Sequence, residues 1–163
     1  MTIRWYLGGI VAGAAIGWFA AKCHQSGIAP VGLVSLGVGL ALGFVLAKLA
    51  ASTGITCRKR LAVGAVVFAL VAVFVEHTWL YRDFRRQWDD ARAMNPQVAL
   101  FRPAEPWSPA EYFRRETSSG QIALWCVDAA LIVAGAVSVV LLQNSRFVVA
   151  DDAKAPRSPT PDP

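Results

Sequence analysis

The chain has 163 residues, of which 55% are hydrophobic and only 17% charged, with a mean hydropathy of +0.44 and a formal net charge of +5. Soluble domains carry about 25% charged residues, so the composition argues against an ordinary soluble domain, and equally against a disordered chain. Three cysteines, odd in number and far apart, do not make a disulfide scaffold, and the basic residues form no unbroken patch of the kind a nucleic-acid groove needs, so no nucleic-acid partner is expected.

Four apolar runs, at about 5–21, 31–50, 61–80 and 122–142, reach the roughly 20 residues that cross a hydrocarbon layer. They lack the alternation of a membrane β-strand, and in lipid an isolated segment satisfies its backbone only as a helix. The expected fold is therefore all-α: a polytopic membrane protein with four transmembrane helices in one domain over 1–142, embedded in a lipid bilayer. The first run has Arg4 before it and small residues at its end, as a signal peptide would, but Lys22 directly before Cys23 spoils a cleavage site. It is read as a retained helix. An even number of spans puts both termini on one side, here side A, with side B opposite.

Small residues recur every four positions in the first two helices: Gly9, Gly13, Gly17 and Ala21 in one, Ser35, Gly39, Gly43 and Ala47 in the other. Residues 13–22 match 39–48 at a constant offset of 26, and both stretches end in Ala-Lys. Residues four apart share a helix face, so each helix presents a smooth ridge that lets another backbone approach closely. The ridges resemble the glycine zippers of several small membrane proteins, pore formers among them. They are expected to close a hairpin between helices one and two, the alternative being a homo-oligomer interface.

The third helix is expected to continue beyond the membrane, from about 61 to 94. Leu80, Tyr81, Phe84, Trp88 and Ala91 keep to one face, and Arg85–Asp89 and Arg86–Asp90 are four-apart opposite charges. Asn95 and Pro96 end it. The interfacial loop, 81–120 in all, contains a capping-box start at Ser108, Pro109 and Glu111, which predicts a short helix over 109–116. Phe101, Trp107, Tyr112 and Phe113 make this segment either an interfacial lid on the bundle or a surface for a partner. The fourth span follows, then a C-terminal tail at 143–163, expected to be disordered from about 151 because of Pro156, Pro159, Pro161 and Pro163.

Polar residues within the spans are the candidate functional groups, because a charge there is costly and faces the protein interior. They are Asp128 in helix four, Glu76 and His77 near the side-B end of helix three, and Lys22 at the same end of helix one. Asp128 is expected to pair with Lys22 or bond to His77 and so fix packing; alternatively Asp128, Glu76 and His77 carry protons or a cation. Cys23, His24, His77 and Cys126 could hold a metal only through tertiary assembly, since no C-x-x-C or H-x-x-x-H spacing occurs. No metal and no cofactor is expected. Cys57 lies beside Arg58, a setting that lowers a thiol pKa, without an adjoining base. Phosphate-cradling, nucleophile-elbow and zinc-protease motifs are missing from the sequence, so no enzyme is expected.

Lysines and arginines divide evenly between the two sides; the tight Arg58, Lys59, Arg60 cluster points to cytoplasmic termini in the cytoplasmic membrane. The expected function is a non-catalytic accessory, scaffold or assembly subunit with a membrane-protein partner. The alternative is a small homo-oligomeric channel or transporter that uses the Asp/Glu/His path.

Overall fold

Five helices appear in the computed structural model, which describes residues 2–26, 32–94, 107–116 and 119–154, with backbone alone at 2, 113, 115–116, 119–121 and 144–154. They are α1 (Thr2–Gln25), α2 (Leu33–Thr53), α3 (Arg58–Met94), α4 (Pro109–Glu116) and α5 (Ser119–Lys154). No strand occurs among the described residues. Four of the helices are long and apolar enough to cross a membrane, over Ile3–Gln25, Leu33–Thr53, Arg58–Met94 and Ile122–Gln143.

Local chemistry sets the helix ends. Gly54 follows α2 in the left-handed conformation (φ 69°), and the Gly54 and Ile55 amides donate to the carbonyls of Ala51 and Ala50. This double closure frees the chain to turn sharply at side A, and Cys57 then opens α3, its carbonyl accepting from Leu61 at 3.0 Å. At α4 the Ser108 hydroxyl accepts from the Glu111 amide, and the Glu111 carboxylate accepts from the Ser108 amide, each at 3.3 Å. The last helix departs from the sequence expectation. Positions 143–154, read as a tail with disorder from about 151, continue α5 to Lys154; the first helix-breaking proline is Pro156, and nothing in Asp151–Lys154 opposes a helix before it. Residues 155–163, and Pro96 and Phe101 of the loop, lie outside the described residues.

The helices stand at the corners of a square, α1 beside α2 and α3, and α5 beside α2 and α3, with α1 and α5 diagonally opposed. The ridges do not close a hairpin between α1 and α2, as the sequence suggested. The α1 ridge faces α3: a Cβ at Gly13 would lie 2.6 Å from the Phe68 carbonyl oxygen, and one at Gly17 would meet that of Ala72. Gly9 accommodates the Phe68 ring. The α2 ridge faces α5: a Cβ at Gly39 would lie 2.5 Å from the Ile132 oxygen and one at Gly43 2.7 Å from that of Ala136. Each ridge takes up the backbone of its partner, whereas α1 and α2 meet through side chains. Partner numbers rise together along each pair, so α1 and α3 are parallel, as are α2 and α5, and sequence-adjacent helices are left with looser antiparallel contacts such as Gly8 on Leu49.

Gly13 maps to Gly39 by the offset of 26 (39 − 13), and their partners Phe68 and Ile132 differ by 64 (132 − 68), as do Ala72 and Ala136. The bundle is thus two parallel pairs of matching construction, inverted with respect to each other. Between them Trp5, Leu42, Leu46, Leu61, Phe68 and Val140 are completely buried. Trp5 covers Gly64 and meets Phe68 edge-on at 5.1 Å. The outer surface is the reverse of a soluble protein's: Ile3, Val11, Leu33, Val63 and Phe74 are all more than 60% exposed.

Candidate functional site at the side-B end

The α2 ridge and the α5 face against it keep one register, 93 residues apart: Gly39 with Ile132 and Gly43 with Ala136. One turn further toward side B the same offset joins Ser35 to Asp128, and here the contact becomes polar. Asp128 Oδ1 accepts from the Ser35 hydroxyl at 2.8 Å and from the Gly32 amide at 3.1 Å. Gly32 is the N-cap of α2, has φ 89°, and has no side chain with which to cap its helix. Asp128 therefore does from α5 what the third-position Glu of a capping box does locally, accepting from the N-cap amide and placing a carboxylate where the helix dipole favours it.

This corrects one of the expected partners. Asp128 does not pair with Lys22, which is exposed, donates to Gln25 Oε1 at 2.8 Å and lies 5.8 Å above the Trp79 ring. His77 lies across the same cavity from Asp128. Ser35, assigned to the packing ridge, proves also to be a ligand of the acid. Asp128 stands level with the first turn of α2, at the side-B end of the bundle.

Glu76 is buried and meets a residue that the sequence reading gave only a metal role: His24 Nδ1 lies 2.7 Å from Glu76 Oε1. Phe68 and Ala72, the α3 partners of Gly13 and Gly17, lie 55 positions on, a register that brings Glu76 opposite fully buried Ala21 and in reach of His24 one turn later. His77 turns toward α5, its ring edge-on to Trp125 at 4.8 Å. A cavity of about 240 Å³ between α3 and α5 gathers His24, Glu76, His77 and Asp128, walled by Val73, Leu80, Leu124 and Ile132. Three of the four predicted polar residues thus meet at one place, and Lys22 does not join them. No group of three His, Cys, Asp or Glu side chains among the described residues is arranged to hold a metal ion. Cys23, Cys57 and Cys126 are free thiols.

The arrangement can hold buried charge, exchange a proton with side B, or admit a small polar molecule. A path to side A would have to pass Leu42, Leu46, Phe68, Ala136 and Val140, all at most 1% exposed, and close backbone contacts along both ridges.

Outside the bundle, α3 continues 14 residues beyond Leu80 to Met94, about 21 Å at 1.5 Å per residue. The Tyr81 hydroxyl donates to the Trp107 carbonyl at 2.8 Å. Trp107 stacks on Phe84 at 5.8 Å, Tyr112 meets Phe84 tilted at 4.6 Å, and Trp88 is buried beside them. The described ring contacts of α4 and its entry are all to this extension of α3, and together they form an aromatic arm.

Fold and site together define a bundle of four long apolar helices with a one-sided polar cavity and an aromatic arm. No protein-family model matches the chain, and no curated protein and no solved structure matches it.

Proposed function

We propose that the chain is a multi-pass protein of the cytoplasmic membrane, with its termini in the cytoplasm, and that it acts without catalysis as an accessory or assembly subunit. The observation that carries this reading is the arm. A helix of four turns beyond an apolar bundle packs against α4 and its entry through five aromatic rings, Tyr81, Phe84, Trp88, Trp107 and Tyr112. Ordering that many side chains costs conformational entropy, and it yields a fixed surface carrying Arg82, Arg85, Arg86, Asp89 and Asp90 for a partner to read. The intramembrane acids support the reading, because both have local partners: Asp128 caps α2 and Glu76 meets His24.

The test is the mass and composition of the tagged protein extracted in mild detergent from its native membrane. Other polypeptides in fixed stoichiometry are expected; a pure homo-oligomer would overturn the proposal. The cavity favours a second reading, a proton or cation path in a homo-oligomer. That reading predicts a flux in reconstituted vesicles that Asp128→Asn abolishes without unfolding the protein.

A further inference from the structure

On side A, the first turns of α1 and α3 enclose a second hollow of about 240 Å³, lined by Tyr6, Lys59, Arg60, Val63, Gly64 and Val67. Positions 60, 63, 64 and 67 follow one another at i, i+3, i+4 and i+7, so they form one continuous stripe of α3 about 10 Å long. Its upper end is cationic and its lower end wholly apolar. Val63 and Val67 are 64% and 47% exposed and so face outward, and Gly64, buried under the Trp5 ring, contributes only backbone to the floor. Tyr6, 44% exposed, walls the α1 side with its ring 6.3 Å from that of Phe68.

We propose that this hollow binds one anionic phospholipid, its phosphate held by Lys59 and Arg60 and the first part of an acyl chain lying along Val63, Gly64 and Val67. The inference rests on the membrane reading above. Charge complementarity selects the ligand: two cations at the head of the stripe, no acid among the described lining residues, and an outward apolar groove below, which suits a phosphodiester with a hydrocarbon tail and not a soluble anion. The amide end of α3 adds to the field. Beside the hollow, the Cys57 thiol is held below its ordinary pKa, chiefly by the Arg60 backbone amide directed at its sulfur. The Lys59 amide and the Lys59 and Arg60 charges contribute in the same direction.

Native mass spectrometry of the full chain in detergent, with added dioleoylphosphatidylglycerol or dioleoylphosphatidylcholine, tests the proposal. With about fivefold from each cation, one phosphatidylglycerol should be retained about 25-fold better than one phosphatidylcholine. Lys59→Ala with Arg60→Ala should reduce that preference to near unity, whereas Lys48→Ala, at the same end of the bundle, should leave it intact. Val63→Trp, at an exposed position that does not disturb the core, should fill the groove and displace the lipid with both cations in place. Equal retention of the two lipids, or a preference that survives the double substitution, would overturn the proposal. So would displacement by inorganic phosphate together with indifference to Val63→Trp, which would mark a headgroup-only anion site. Fractionation of the protein with the soluble cell contents would instead remove the membrane reading itself, whereas membrane-bound protein without headgroup preference removes only this site.

Discussion

Gly37 and Gly39 stand two residues apart in α2, and replacing each with alanine separates helix propensity from packing. Gly37 has open space where a Cβ would go, whereas a Cβ at Gly39 would lie 2.5 Å from the Ile132 oxygen and 2.8 Å from its Cα. Ordinary contact begins near 3.4 Å, so α5 must withdraw by about 0.6–0.9 Å to admit the methyl group. A gap of about 0.5–1 Å forfeits a quarter to a half of each dispersion contact across the face, and overpacking of this kind typically costs about 1–3 kcal/mol. Both substitutions gain the same helix propensity, at most about 1 kcal/mol, so it cancels in the comparison. Gly39→Ala should therefore be about 1–3 kcal/mol less stable than Gly37→Ala, measured as the unfolding midpoint in dodecyl sulfate titrations followed by circular dichroism. Equal midpoints would refute the backbone-to-backbone contact of α2 with α5.

The remaining predictions concern the two ends of the bundle. Asp128→Asn keeps the oxygen that accepts from Gly32 and Ser35 and should cost less than about 1 kcal/mol, while Asp128→Leu strands both donors and should cost about 1–3 kcal/mol in the same titration; equal losses would mean that charge, not the acceptor, matters. Cys57 has its thiol pKa lowered by the Arg60 amide and the adjacent charges, so its thiolate persists to lower pH than an unperturbed thiol's. Its half-maximal maleimide labelling should fall at lower pH than in the unfolded chain, and an impermeant maleimide should reach it in inside-out vesicles but not in intact cells. Trp88→Ala should remove its contacts with Phe84 and Trp107, at about 3 kcal/mol. Hydrogen exchange should then rise in α4 and the end of α3, and stay unchanged in α1 and α2.

What the sequence discloses follows from the range of the interactions. The four apolar helices, the long α3 and the start of α4 are written in neighbouring residues: run length, the spacing of Tyr81, Phe84 and Trp88, and the Ser108–Glu111 reciprocity. Each ridge is legible as a face, because periodicity identifies a smooth side, but its partner is not. That choice lies in contacts between residues far apart in the chain, which pair α1 with α3 and α2 with α5. The site is partly legible for the same reason. Asp128, Glu76 and His77 stand out as costly residues in apolar runs, whereas Ser35 and Gly32 lie more than 90 positions from Asp128. Gly32 offers one retrospective signal, a helix start with no capping side chain, which requires an acceptor from elsewhere. The extension of α5 to Lys154 was obscured by the prolines beyond it, whose effect does not reach back past Pro156.

The arm is the surface on which the functional account stands, and site-specific photo-crosslinking in the native membrane probes it directly. A photoreactive residue at Arg86, exposed on the extension of α3, should give one discrete adduct with a different polypeptide, and the same residue at Val11, exposed on the outer face of α1, should give none. An adduct of two copies of this chain, or no discrete adduct from Arg86 while the protein remains folded, would contradict the account.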